Sequence, residues 1–267
     1  MDPVINKPAS RRPLYWRWIL IALGILLLVF LSVVIVTAVS GYRQINSLKT
    51  KNPTETAMMR FRQKQAARKD GNSLRLSNWS PLSSISPLLI QAVLIAEDDK
   101  FFQHDGFDWE GIKVALEKDL ERKRFSAGGS TITQQLVKNL YLSPSKNPLR
   151  KLREAVLAAQ IERMCSKKRI LELYLNVIEW GPGLYGIASA SRHYFSKPPG
   201  ALQAGEAIRL ASVLPNPLRY SPVHDTNRRM RRQRLRLAES LFKRGLVDET
   251  AYQQLTAEFS GSTKEQP

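Results

Sequence analysis

An apolar run, Leu88, Leu89, Ile90, Ala92, Val93, Leu94 and Ile95, ends on Glu97 and gives way to an acidic stretch: Glu97-Asp98-Asp99, then His104 and Asp105. A carboxylate where an apolar helix meets a loop is partly desolvated, which raises its pKa and makes it a better general base. Asp98, Asp99, His104 and Asp105 can hold or tune it. The ordinary alternative is a solvated acidic helix end. Acids favour helix N-termini, so three of them at a C-terminus run against the macrodipole, and this favours a chemical role for Glu97.

A second stretch is Gly128-Gly129-Ser130-Thr131-Ile132-Thr133-Gln134-Gln135, with Lys138-Asn139 after it. Glycines ahead of a helix N-terminus present free N–H groups, an anion site. On a helix Thr131, Gln134, Gln135 and Lys138 share one polar face, while Ile132, Leu136 and Leu140 face away. That strip suits a sugar or a phosphate; its alternative is an ordinary amphipathic helix with a capping box. A third stretch, Arg150-Lys151-Leu152-Arg153-Glu154, clusters Arg150, Lys151 and Glu154 on one face. An Arg fork and a Lys point charge are what diphosphate recognition needs, and a surface ion-pair helix is the plain alternative.

The elements that must position these groups read as helices throughout. Ser86-Pro87 caps and starts a helix running to Glu97. Asp108 caps one carrying Ile112, Ala115, Leu116 and Leu120; Thr131 and Gln134 have capping-box spacing. Asn147-Pro148 opens a long helix with Leu149, Leu152, Val156 and Ala159. Ile170, Leu171, Tyr174, Leu175 and Ile178 keep the period until Gly181-Pro182-Gly183 stops it. Two more helices come after that, one before Pro215-Asn216-Pro217 and one between Asp225 and Gly245. No alternating run of the kind strands leave is present.

Ile19 to Val39 carries no charge and only Ser32 and Thr37 as polar side chains, long enough to cross a bilayer of ~30 Å. Tyr15, Trp16 and Trp18 precede it as an interfacial belt. A cleaved signal peptide would have a shorter apolar core and small residues at a cut site, so an uncleaved anchor is expected. Lys7, Arg11, Arg12 and Arg17 before the span, against Arg43, Lys49 and Lys51 after it, lean to a cytoplasmic N-terminus. Residues 40–78 are polar without a sustained apolar period and read as a linker or stalk with room for one short helix. The formal charge of +18, from 41 Lys+Arg against 23 Asp+Glu, calls for an anionic partner: nucleic acid, a membrane surface or a phosphate-rich substrate. The single cysteine, Cys165, excludes an intrachain disulfide framework and a multi-cysteine metal site.

Taken in order, these stretches resemble the glycosyltransferase family 51 domain, the peptidoglycan glycosyltransferases. Glu97-Asp98-Asp99-Lys100-Phe101-Phe102-Gln103-His104-Asp105-Gly106 resembles the family's Glu-Asp-x-x-Phe-x-x-His-x-Gly motif. Gly129 to Gln135 with Lys138-Asn139 resembles its second motif, and Arg150-Lys151 with Glu154 its third. Lys168-Arg169-Ile170-Leu171-Glu172-Leu173-Tyr174-Leu175-Asn176 is similar to the fourth, and Leu210 to Pro217 to the last. Glu179-Trp180-Gly181-Pro182-Gly183-Leu184-Tyr185-Gly186 is similar to the monofunctional members. The residues after the last motif are too few for the transpeptidase domain of bifunctional relatives.

The resemblance implies an all-α, lysozyme-like catalytic domain behind one N-terminal transmembrane helix. Its layout would be a cytoplasmic tail over 1–18, the span over 19–39, a stalk over 40–78, the catalytic domain over 79–257 and a polar tail over 258–267. The substrate would be lipid II and the growing glycan chain, joined with inversion and release of undecaprenyl diphosphate. By carry-over Glu97 is the base; Lys138, Arg150 and Lys151 neutralise the diphosphate; and Glu154 acts from the donor side, by orienting those cations or holding a divalent ion. Ser130, Thr131, Gln134, Gln135 and Asn176 would shape the cleft, with Asp98, Phe101, His104 and Gly106 in support. No cofactor is obligatory; Mg2+ or Mn2+ is an option. Phe107, Trp109, Ile112 and Phe125 would dip into the membrane interface, and the arginines 228, 229, 231, 232, 234 and 236 would touch anionic lipid. Other cell-wall synthesis proteins are further candidate partners. The enzyme would sit in the bacterial inner membrane with its domain in the periplasm, which removes nucleic acid as a partner. The alternatives are a lysozyme-like lytic enzyme, which has no use for cations aimed at a diphosphate, and a non-catalytic membrane-tethered binder of anionic polymer, which does not account for Glu97 and Glu154.

Overall fold

In a computed structural model, residues 15–66, 78–122, 129–144, 147, 149–224 and 227–261 are described. The chain is helical almost throughout. In order come α1 (Tyr15–Ser47), α2 (Ala57–Ala66), α3 (Pro87–Glu97), α4 (Trp109–Arg122), α5 (Ile132–Tyr141), α6 (Leu149–Met164) and α7 (Lys167–Val177). A small antiparallel hairpin, β1 (Glu179–Gly181) and β2 (Leu184–Tyr185), interrupts before α8 (Ile187–Phe195), α9 (Ala204–Val213), α10 (Arg228–Lys243) and α11 (Glu249–Ser260). The expectation of an all-α fold holds, and the hairpin is the exception that the glycine-rich stop at 181–183 did not disclose.

Two helical layers meet around the carboxylate of interest. In one, α5 packs between α6 and α7; in the other, α3 packs on α9 and α10, and α10 on α11. The core runs through both, with Leu89, Val93, Ile132, Leu136, Ile161, Tyr174, Ile208 and Phe259 fully buried. Helix α3 is short and apolar on nearly every side because it is sandwiched, which is why its periodicity is weak.

Local signals explain most starts and stops. Pro87 occupies the first turn of α3, where its missing N–H costs nothing. The expected cap from Ser86 is replaced: its hydroxyl donates to the carbonyl of Leu202 at 2.7 Å, tying α3 to the segment before α9. The Asp108 carboxylate accepts from the N–H of Gly111 at the start of α4, and Asn147 does the same for Leu149 at the start of α6.

Three expectations need correction. The stretch read as a linker or stalk with one short helix does hold one, α2, but over 40–66 it is packed on the other helices. Helix α1 continues to Ser47 and packs on α6 from Thr37 onward, burying Gly41, Ile45 and Leu48, while α2 packs on α5 and buries Met59. At Gly41 a Cβ would lie 2.5 Å from Leu157 and 2.8 Å from Gln160, so the glycine permits the close approach. Second, the polar tail expected from 258 begins inside α11, whose Leu255 and Phe259 are core residues. Third, Arg234 does not face outward with its neighbours. It is fully buried, donates to Ser212 and to the carbonyls of Ser221 and Pro222, and lies over the ring of Phe259. Phe125 and Asp225 lie outside the described residues.

Removing the ring of Phe259 leaves a cavity beneath Arg209 and Arg234. Phe259→Ala is expected to destabilise the fold by about 3–5 kcal/mol, and a chain ending at 257 by at least as much, measured by thermal or denaturant unfolding.

Candidate active site

Glu97 ends α3 and aims its carboxylate at α5. Its Oε2 accepts from Nε2 of Gln135 at 2.8 Å; its Oε1 is buried without a hydrogen-bond partner among the described residues. Burial raises its pKa above the 4.5 of an ordinary glutamate, and the charge of Asp98 adds to that. The Gln135 hydrogen bond and the positive charge of Lys138 pull the other way without cancelling burial. The result is a carboxylate that accepts a proton more readily than a solvated one, with one oxygen free to do so.

Tyr174 on α7 is the residue that sequence reasoning missed. It is fully buried, and its hydroxyl donates to Oε1 of Gln135 at 3.1 Å. Burial, together with the charges of Glu97 and Asp98, pushes its pKa far up, so it remains a donor. With its oxygen fixed by Tyr174, the Gln135 amide must present its NH2 to Glu97. Tyr174 reads in the sequence as one more core position of an amphipathic helix; the signal was a phenol in an otherwise aliphatic row, which needs a partner when buried.

Asp98 and His104 form the brace beneath Glu97. Asp98 is buried, and its Oδ2 accepts from the N–H of Ile132 at 2.9 Å, at the positive end of α5. Its Oδ1 lies 2.9 Å from Nε2 of His104. The N–H of Gly106 donates to Nδ1 of His104 at 3.1 Å, so Nδ1 is the acceptor and the ring proton sits on Nε2, pointing at Asp98. Gly106 has φ +89, and a Cβ there would meet Glu162 at 3.0 Å; its carbonyl accepts from the Thr131 hydroxyl at 2.8 Å. Phe101 fills the space behind, edge-on to His104, with the ammonium of Lys167 over its other face. One carboxylate, one imidazole and one glycine thus lock the loop after α3 to the start of α5.

The polar strip of α5 divides in two. Thr131 and Gln134 form the expected capping box: the Thr131 N–H donates to the Gln134 side chain, and the Gln134 N–H to the Thr131 hydroxyl. Both are buried and occupied, so they build the helix start rather than line a cleft. Gln135 and Lys138 face Glu97. Ser130 is exposed, and its carbonyl accepts a weak contact from Gln135 at 3.4 Å.

Lys138 connects the two carboxylates. Burial lowers its pKa; Glu154 and Glu97 raise it, while Arg150 and Lys151 lower it. All these charges therefore lie within electrostatic reach of Lys138. Lys151 donates to Oε1 of the buried Glu154 one turn away on α6. The structure brings Glu97, Gln135, Lys138, Arg150, Lys151 and Glu154 to one place, from α3, α5 and α6.

Other expected residues lie elsewhere. Asn176 is buried with its amide committed: its Oδ1 accepts from the N–H of Ser80, and its Nδ2 donates to the carbonyls of Ser80 and Glu172. It fastens the segment before α3 to α7 and does not join the cleft. Asp99 turns outward to a two-pronged pair with Arg244 at 2.6 and 2.7 Å, and Asp105 is exposed. A divalent ion at Glu154 fits the donor set poorly. Such ions want several hard oxygens, whereas Glu154 is engaged by Lys151 and no group of three His, Cys, Asp or Glu forms a metal site among the described residues.

A buried carboxylate with one unbonded oxygen thus lies near three cations, one of them held by a second carboxylate. Such an arrangement suits group transfer, in which a base accepts a proton and cations neutralise an anionic leaving group. Residues 63–241 match the family described as Transglycosylase. The chain is 45% identical over 205 residues, 77% of its length and 87% of the relative's, to a biosynthetic peptidoglycan transglycosylase of Azoarcus sp. (strain BH72). It is 50% identical over 169 residues, 63% of its length and 74% of the relative's, to a protein of the same name from Aromatoleum aromaticum. With that of Methylobacillus flagellatus it shares 39% identity over 224 residues, 84% of its length and 94% of the relative's. The chain belongs to the transglycosylase family.

A base must be ionised to act, so activity falls as pH drops through the raised pKa of Glu97. The acid limb of kcat/KM for glycan polymerisation is expected above pH 4.5. Gln135→Leu removes the donor that lowers this pKa. The acid limb should therefore move to higher pH. Tyr174→Phe should move it in the same direction by less. An acid limb unchanged in both variants would exclude Glu97 as the titrating base.

Proposed function

We propose that this chain polymerises lipid II into glycan strands as a monofunctional peptidoglycan glycosyltransferase. The observation that carries the mechanism is the buried Glu97 carboxylate, its Oε1 unbonded among the described residues, beside a Lys138 that lies within electrostatic reach of Arg150, Lys151 and Glu154. The 4-hydroxyl of the acceptor sugar hands its proton to Glu97 as its oxygen attacks the anomeric carbon of the growing chain. The new C–O bond forms on the face opposite the diphosphate, so the centre inverts from α to β. The breaking C–O bond leaves its electron pair on the diphosphate oxygen, and the cations of α5 and α6 stabilise that charge. Glu154 then has a definite role: it holds Lys151 and offsets the burial and cation repulsion that push Lys138 toward neutrality.

The lipid tail of such a substrate stays in the bilayer, which gives α1 its purpose. Its apolar stretch is exposed along its length, as a bilayer-crossing helix requires. We place the chain in the bacterial inner membrane as a single-pass protein, N-terminus in the cytoplasm and catalytic domain in the periplasm. Trp109 is 71% exposed and stacked on Phe107 with ring centres 5.4 Å apart, and Phe102 is exposed nearby; these rings suit the membrane interface.

The raised pKa of Glu97 would also serve a lytic enzyme, which needs a protonated acid. Labelled lipid II given to the purified full chain separates the two. Glycan polymer is expected from the wild type, and Glu97→Gln should form it about 10²–10⁴-fold more slowly. Fragments released from preformed glycan, with no polymer from lipid II, would establish the lytic alternative instead.

A further inference from the structure

A groove of about 630 Å³ lies outside the catalytic cleft, between the last turns of α1, the start of α2, the end of α5 and the outer row of α6. Its α1 wall is a stripe of Thr37, Ser40, Gln44 and Ser47. Lys51 and Arg60 line one side, and Arg153 the α6 side. Arg60 is paired with Glu55 at 3.1 Å; Lys51 and Arg153 have no ion-pair partner among the described residues. None of these groups enters the proposed chemistry.

The position of the groove along α1 tells what reaches it. At 1.5 Å per residue, Ile19 to Val39 spans about 30 Å, the hydrocarbon thickness of a bilayer. The groove starts at the end of that stretch, and Ser40 to Ser47 covers roughly 12 Å beyond it. The headgroup layer is about 5–8 Å deep on each side. The groove therefore opens at the level of lipid phosphates, with two unpaired cations and a row of hydroxyl and amide groups around it.

We propose that this groove binds the phosphate headgroup of an anionic glycerophospholipid, with Lys51 and Arg153 as its charge partners and the Gln44 amide as a neutral donor; the Ser40 and Ser47 hydroxyls, which donate to the α1 carbonyls of Thr37 and Gln44, shape the wall beside it. A glycerophospholipid fits better than the polyprenyl diphosphate of the substrate, whose charge has its own cations on the neighbouring row of α6. Arg153 is one residue from Glu154. A lipid phosphate held there fixes the height of α6, and so of the cleft, above the bilayer. The proposal rests on α1 being a membrane span, which retention of the chain in membranes after alkaline carbonate washing reports separately.

The test titrates phosphatidylglycerol, phosphatidylcholine and undecaprenyl phosphate against the full chain in neutral detergent, counting bound lipid by native mass spectrometry. One phosphatidylglycerol per chain is expected, at least about tenfold tighter than either other lipid. A Lys51→Gln/Arg153→Gln double variant should weaken it about tenfold or more. Ser40→Trp, which fills the groove and keeps both charges, should weaken it comparably. An Arg192→Gln/Arg219→Gln control, with exposed cations elsewhere, should leave it unchanged. Equal loss in the control, no preference over phosphatidylcholine, preference for undecaprenyl phosphate, or full binding by Ser40→Trp would each overturn the proposal, as would extraction of the chain by carbonate.

Discussion

Everything in the cleft depends on keeping one desolvated carboxylate chargeable. Moving an ion of this kind out of water costs several kcal/mol even after the protein relaxes. A hydrogen bond to it returns about 1.5–3 kcal/mol. The single bond from Gln135 and the field of Lys138 therefore leave Glu97 under-compensated, and its pKa stays raised. That imbalance suits the proposed role of Glu97 as a base: a fully paired carboxylate is a poor base, and an isolated buried one stays protonated. The fold sets the balance by geometry. Gln135 is oriented by Tyr174 from below, and the loop carrying Asp98, His104 and Gly106 fixes the distance between α3 and α5.

The cations obey a complementary logic. Burial is the main reason the pKa of Lys138 is lowered, and to it is added the repulsion from Arg150 and Lys151. Glu154 relieves part of it. A bound diphosphate would relieve the rest, so the cluster is less favourable before the anion arrives than after it. Interactions that improve most when charge develops on the leaving group are the ones that lower a barrier.

The sequence disclosed those features that local chemistry dictates. The first-turn Pro87, the Asp108 cap and the Thr131–Gln134 capping box all stand where their spacing put them, because each is satisfied within a few residues. Residues whose environment is made by distant segments were harder to read. Gln134 and Gln135 look alike in a helical wheel, yet one closes a cap and the other touches Glu97. Asn176, Asp99 and Arg234 resemble surface or cleft groups until Ser80, Arg244 and Phe259 fold against them. The segment 40–66 hides its period because the row that faces α6, Thr37, Gly41, Ile45 and Leu48, keeps helical spacing but begins with a polar residue and a glycine, and Met59 is buried separately, on α2.

That segment also changes how membrane and catalysis are joined. A stalk would let the catalytic body tumble above the bilayer at the length of its tether. Instead α1 docks on α6 through Gly41, and Gln160 of α6 donates to the carbonyl of Ala38 on α1 at 2.8 Å. This close contact links the spanning helix to the same helix that carries Arg150, Lys151 and Glu154. Since α6 also packs on α5, which bears Gln135 and Lys138, the apolar helix and the candidate site are joined by an unbroken series of packed helices. On the proposed function, a substrate whose diphosphate is confined to the plane of the headgroups needs its cations at a fixed height, and α1 packed on α6 would supply that height without a separate device.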